Sequence, residues 1–215
     1  MIKAHLSIII ATYKRPHLLV RCLESLNWAL QKTPGVIVEL GVIINGSDPE
    51  TEGILSRFIE KNVLFDHVNL KISSTRQTPS EVRNIMVSEA EGEWVFFLDD
   101  DAYVDKNLFQ TFQDLREKFP KSIVFGGPNL NPPNSNLFQT ACSLALASPM
   151  ATWVSSSRYR KGERGRSCGE EALILCNLFV RKNALGQNPF PSRFICCEEN
   201  FFLQKQKISR EATHL

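Results

Sequence analysis

The chain predicts an α/β fold: a mostly parallel central sheet flanked by helices. Three observations carry this. Apolar runs such as Leu6-Ser7-Ile8-Ile9-Ile10 have the continuity of strands buried on both faces. Segments with apolar residues at helical spacing alternate with them. At 215 residues, 43% of them hydrophobic and 22% charged, the chain can bury such a sheet as one soluble domain.

The elements follow in order. After the first strand, Arg15-Pro16 opens a helix, with proline near its first turn and Leu18, Leu19, Cys22, Leu23, Leu26, Ala29 and Leu30 on one stripe. Pro34-Gly35 ends it, and Val36 to Ile44 reads as a second strand. The turn Asn45-Gly46-Ser47-Asp48-Pro49 leads to a helix around 51–61. Val68 to Ile72 is a third, weaker strand. A helix over 80–90 turns Val82, Ile85, Met86 and Val87 inward, and Trp94 to Leu98 is the next buried strand. A helix from Asp105 to Lys118 and a strand at Ile123-Val124-Phe125 follow. Beyond Gly126 the texture becomes turn-rich, with a helix predicted over Leu137–Ala147, a strand over Leu173–Val180 and a last helix from Glu198. The polar segment 155–169, with Arg158, Arg160, Lys161, Arg164 and Arg166, reads as a solvated loop.

The run Asp99-Asp100-Asp101 stands directly behind the strand Trp94-Val95-Phe96-Phe97-Leu98. Three successive carboxylates repel one another, and a bound divalent cation is one reason to gather them. Mg²⁺ and Mn²⁺ take hard oxygen ligands, commonly one or two carboxylates plus substrate phosphates. Ligands of open α/β sheets also gather at the carboxyl ends of the strands. The competing reading is a solvated turn that caps the next helix through Asp105.

Taken in order, Ser7-Ile8-Ile9-Ile10-Ala11-Thr12-Tyr13-Lys14-Arg15-Pro16, Ile44-Asn45-Gly46-Ser47, Val82-Arg83-Asn84, Gly92 to Asp101 and Glu198-Glu199 resemble the family 2 glycosyltransferases of the GT-A fold. The resemblance runs from about residue 5 to the end. It implies one domain over 1–215, with a nucleotide-donor half to residue 105 and an acceptor half from 106. Thr12, Tyr13, Arg15, Asn45, Arg83, Asp99 and Asp100 are thereby expected at the donor, with Asp101 and Asp99 as ligands of Mn²⁺ or Mg²⁺ and Asp100 at the variable position of the motif. Glu199 is expected as general base, with Glu198 beside it. The implied reaction is an inverting transfer of sugar from a nucleotide diphosphate, a UDP-sugar first, to a hydroxyl of a glycan or lipid-linked acceptor, in cell-surface glycan or polysaccharide biosynthesis.

The chain departs from the family pattern at four places. Lys14 stands where "TYNR" is usual, Ile44 where an aspartate reads the base, and Glu199 where aspartate is usual. Members also commonly continue with another strand, sometimes with a histidine that completes the metal site, so the end at Leu215 suggests a shortened form.

Two other classes stay open. A nucleotidyltransferase of related fold would carry a glycine-rich phosphate loop, and Ala11-Thr12-Tyr13-Lys14-Arg15-Pro16 has no glycine. A non-catalytic nucleotide-sugar-binding relic is the other. A net charge of +2 gives no case for nucleic acid as partner. With no CxxC pair, the six cysteines read as buried, reduced thiols. No leader or spanning segment is visible, so a cytoplasmic protein is expected, with peripheral contact at the inner face of the membrane.

Overall fold

A computed structural model describes residues 5–61, 65–132, 135–162, 165, 167–192, 198–205 and 212–214. Strands β1 (His5–Thr12), β2 (Ile37–Ile44), β3 (His67–Ile72) and β4 (Trp94–Asp99) are all mutually parallel, joined by helices α1 (Pro16–Gln31), α2 (Pro49–Lys61) and α3 (Pro79–Glu89). After α4 (Leu108–Lys118) come β5 (Val124–Gly126), α5 (Leu137–Ala147), α6 (Pro149–Thr152), β6 (Asn177–Arg181), α7 (Lys182–Leu185), α8 (Glu198–Lys205) and β7 (Ala212–His214). The sheet order is β3-β2-β1-β4-β6-β5-β7, with β6 antiparallel to both β4 and β5.

Two apolar layers sandwich the sheet, as period-two side-chain alternation requires. Leu6, Ile8 and Ile10 of β1 and Phe96 and Leu98 of β4 face α1, α2 and α4. Ile9, Val95 and Phe97 face the opposite way, toward α3 and α8. Trp94, Phe112, Phe125 and Phe179 interlock beneath α4, Phe112 stacking on Phe179 at 4.3 Å. Gly92 allows the chain entering β4 to pass against β1: a Cβ there would lie 2.5 Å from the Ser7 nitrogen.

Helices α1 and α2 connect strands on one side of β1, and α3 carries the chain to β4 on the other. The order therefore reverses between β1 and β4, and the carboxyl ends of these two strands flank a crevice. Thr12 and Asp99 lie there, with Ala11 paired to Asp99 in the ladder.

Four expectations are corrected. The strand read over Leu173–Val180 is confined to 177–181, since a turn at 175–176, closed by Asn177 N donating to the Ile174 carbonyl at 3.2 Å, precedes it. A further strand is present: β7 pairs with β5 within the final residues. The loop read at 155–169 begins as a 3₁₀ segment, Trp153–Tyr159, whose Arg158 is folded in rather than solvated. Cys142 is exposed on α5 and Cys176 half-buried, so only Cys22 and Cys168 are buried among the described free thiols. Arg164, Arg166, Cys196 and Cys197 lie outside the described residues.

Candidate active site

The first wall of the crevice is the turn from β1 into α1. Thr12 Oγ1 donates to Asp100 Oδ2 at 2.7 Å. Arg15 places Nη2 2.6 Å from Asp100 Oδ1, close as an ion pair though without hydrogen-bond alignment, and Nη1 3.3 Å from Asp101 Oδ2. One guanidinium thus joins two successive carboxylates, as its forked geometry permits. Arg21 Nη2 donates to the Asp101 carbonyl at 3.0 Å, which ties α1 to the acidic turn a second time.

The three acidic residues have different environments. Asp99 and Asp101 have side chains 44% and 51% exposed, whereas the Asp100 side chain is fully buried. Burial raises the Asp100 pKa, with Asp101 and Asp99 adding to it, against the hydrogen bond from Thr12 and the charge of Arg15. Asp100 therefore lies under the floor of the crevice. Its described partners are Thr12 and Arg15.

Arg83, on α3, donates from Nη2 to Asp99 Oδ1 at 3.1 Å and is largely buried. The Thr78 capping box, closed by Glu81, fixes the first turn of α3. Asn45 holds the loop before it: Nδ2 donates to the Gln77 carbonyl at 3.0 Å and Oδ1 accepts from Gln77 N at 2.8 Å. Asn45 therefore joins the end of β2 to the entry of α3. Ile44 is fully buried and presents nothing to the crevice.

Tyr13 lies over Gly46, where a Cβ would approach its ring to 3.2 Å, and the Arg76 guanidinium stands 4.7 Å from the ring centre. The neighbouring Lys14 has φ +53°. Asp48 holds it there, accepting the Lys14 N–H at 2.8 Å and the Thr51 hydroxyl at 2.5 Å. Left-handed backbone favours Asn or Gly over Lys, which gives the usual asparagine of "TYNR" a conformational reason. Lys14→Asn is expected to stabilise the fold by about 0.5–1 kcal/mol, read as a raised denaturation midpoint.

On the far side, a cleft of about 620 Å³ is lined by Asp99, Asp101, Tyr103, Pro128–Pro132, Lys161, Cys176 and Asn177. Asn177 Nδ2 donates to the Pro128 carbonyl, while its buried Oδ1 has no partner among the described residues. The Cys176 thiol is pushed up to about 12, by burial first and then by the negative charges of Asp99, Asp101 and Glu199. Asp99, Asp101 and Cys176 line the same cleft. Glu199, on the first turn of α8, is buried, with Oε1 4.0 Å from Arg158 Nη1. Arg158 also donates to Asn200 Oδ1 and to the carbonyls of Glu170 and Glu171, fastening α8 to the preceding 3₁₀ turn. Glu198 opens α8, and its side chain lies outside the described residues.

Among the described residues no three His, Cys, Asp or Glu side chains stand close enough to form a metal cage. The two exposed carboxylates fit the other arrangement, in which a hard cation takes one or two protein oxygens and completes its shell with phosphate and water. Sequence reasoning missed Arg21, Arg76, Arg158, Cys176 and Asn177, none of which stands in a recognisable motif.

A parallel half-sheet with basic and acidic groups at its switch point is an α/β arrangement of the GT-A type. The chain belongs to the glycosyl transferase family 2, whose model matches residues 7–188. It is 32% identical over 107 residues to the poly(ribitol-phosphate) beta-N-acetylglucosaminyltransferase TarS of Staphylococcus aureus (strain Mu50 / ATCC 700699), a match over 48% of this chain and 17% of TarS. The structure of S. aureus TarS 1-349 in complex with UDP-GlcNAc superposes with a TM-score of 0.71 at 19% identity, covering 98% of this chain and 56% of that one. The mannosyltransferase PcManGT from Pyrobaculum calidifontis, in complex with GDP-Man and Mn²⁺, gives 0.68 at 14%, covering 99% and 55%. The chain thus spans little more than half the length of these solved relatives.

Proposed function

We propose that this chain transfers a sugar, with inversion, from a nucleotide diphosphate to an acceptor hydroxyl. The observation that carries the reading is the pair of part-exposed carboxylates Asp99 and Asp101 at the carboxyl end of β4, each within ion-pair distance of an arginine, Arg83 and Arg15, and lining a cleft of about 620 Å³. Complexes of TarS with UDP and UDP-GlcNAc favour a UDP-sugar as donor.

In this reading Tyr13 and Arg76 flank the base, and Arg83 and Arg15 face the diphosphate. Asn45 acts by holding the Gln77 loop. Asp101 and Asp99 would hold Mn²⁺ or Mg²⁺, which supplies Lewis acidity toward the leaving diphosphate when bound. Glu199 accepts the proton of the acceptor hydroxyl. The acceptor oxygen then bonds to the anomeric carbon as the bond from that carbon to the phosphate oxygen breaks. Arg83 and Arg15 offset the charge that develops on the departing group. The acceptor belongs to a cell-surface glycan, and the protein works from the cytoplasmic side.

Calorimetry with UDP and UDP-GlcNAc, with and without Mn²⁺, tests the site. Saturable binding strengthened by Mn²⁺ is expected, and Asp101→Asn should abolish the Mn²⁺ enhancement while leaving the fold intact. Binding to UDP that is indifferent to both Mn²⁺ and Asp101 would remove the metal assignment. Binding without transfer or donor hydrolysis would identify a relic.

A further inference from the structure

Residues 122–157 contain no Asp, Glu, Lys, Arg or His. The first of them form β5 and are covered. Helices α5 and α6 are not: neither has a buried residue. Phe138, Leu144, Met150 and Trp153 are 77%, 69%, 99% and 79% exposed, with Leu137 and Val154 alongside. Helix α5 is uncharged, with only Gln139, Thr140 and Ser143 polar, and contiguous exposed apolar surface marks an interface.

This outcrop is well formed. Asn136 and Gln139 close a capping box on α5, Ser148 caps α6, and Thr152 Oγ1 donates to the Leu146 carbonyl at 2.7 Å. Both helices pack on the 3₁₀ segment Trp153–Tyr159. Trp153 has φ +50°, a conformation costly for a bulky residue, and its indole stands in solvent. Exposed Arg160 and Lys161 follow at once. An apolar face carrying Trp, Phe and Leu with cations at its margin is the pattern of a segment lying in a membrane interface.

We propose that α5, α6 and Trp153 seat on an anionic lipid surface, with Arg160 and Lys161 against the headgroups. Charge selects this occupant over a second copy of the chain: apposing two such faces would bring their cationic margins together, whereas anionic lipid complements both the apolar and the basic part. Among the described residues no helix is long and apolar enough to cross a membrane, so the contact is peripheral. The outcrop also adjoins the cleft, since Asn129 N donates to the Arg158 carbonyl at 2.7 Å and Lys161 lines the wall. Resting on the proposed transfer, this places the acceptor at the bilayer surface, as a glycan attached to lipid.

The full chain is to be sedimented with phosphatidylcholine vesicles with and without phosphatidylglycerol. Binding is expected only with the anionic lipid, falling as salt rises. Leu144→Asp and Met150→Asp should each weaken it at least about tenfold, and the pair Arg160→Glu and Lys161→Glu at least about fivefold. Vesicles carrying a doxyl quencher should quench wild-type tryptophan emission, and Trp153→Phe should lose most of that effect. Absence of binding and quenching overturns the proposal. So does a dimer in light scattering that Leu144→Asp dissociates while vesicles leave the wild type unbound. UDP affinity measured on Leu144→Asp, Met150→Asp and Trp153→Phe is expected to stay unchanged, so a failure at the membrane is distinguishable from a failure of the donor site.

Discussion

Glu199→Gln is expected to lower sugar transfer by about 10²–10⁴-fold and to leave UDP affinity unchanged, because a positioned base acts on the acceptor proton and not on the donor. The amide keeps the volume and the buried seat of the side chain on α8, so the loss is chemical. Arg158→Lys separates positioning from chemistry. It keeps one positive charge near Glu199 but cannot reproduce the fork that bonds Asn200, Glu170 and Glu171. Transfer should fall in Arg158→Lys as well, with the acceptor KM rising and the α8 region less protected from hydrogen exchange. Single-turnover rates with saturating donor provide the measurement. A Glu199→Gln protein with wild-type turnover removes Glu199 as the base, and one that no longer binds UDP shows that α8 supports the donor instead.

Much of this arrangement was legible in the sequence. The strands and helices to residue 118 are fixed by local periodicity, and α5 occupies the bounds that the sequence predicts for it. What escaped depended on pairing between distant segments. Residues 212–214 are too short to announce a strand without β5 beside them, and the direction of β6 follows from its neighbours. The different environments of the three aspartates were nonetheless within reach. Period-two alternation places Thr12 on the face of Ile8 and Ile10. It sets Asp100 on the face of Phe96 and Leu98, toward α1, and Asp99 on the face of Phe97, toward α3. The bonds follow that parity: Asp100 meets Thr12 and Arg15, while Asp99 meets Arg83. Arg158 illustrates the opposite case. Within a run of cations nothing local distinguishes the arginine that folds inward from those left in solvent, and only the carbonyls of residues 170 and 171 decide it.

Arg15→Ala has the largest expected effect on stability, because it leaves the fully buried Asp100 carboxylate without its counter-ion. Removing one partner of a buried pair costs about 3–5 kcal/mol, and the half-exposed Arg15 reduces this to about 2–3 kcal/mol. For a chain of this size that is a fall of roughly 4–12 °C in Tm. The pH dependence identifies the cause. The Asp100 pKa is already raised in the folded protein, by burial above all, so the folded state holds this proton more readily than the unfolded chain. Stability contributed by Asp100 is therefore greatest when it is protonated and declines as pH rises through its folded pKa. Without Arg15 that pKa moves further up, and the penalty at neutral pH grows. The deficit of Arg15→Ala should consequently shrink as pH is lowered toward and below the ordinary aspartate value of about 3.9, where the protonated acid needs no counter-ion. Asp100→Asn should remove most of the pH-dependent part of the deficit in the double variant. A deficit that stays constant with pH would show that Arg15 stabilises through packing alone, and Mn²⁺-dependent UDP binding in the same protein would report how far Asp101 depends on the shared guanidinium for its orientation.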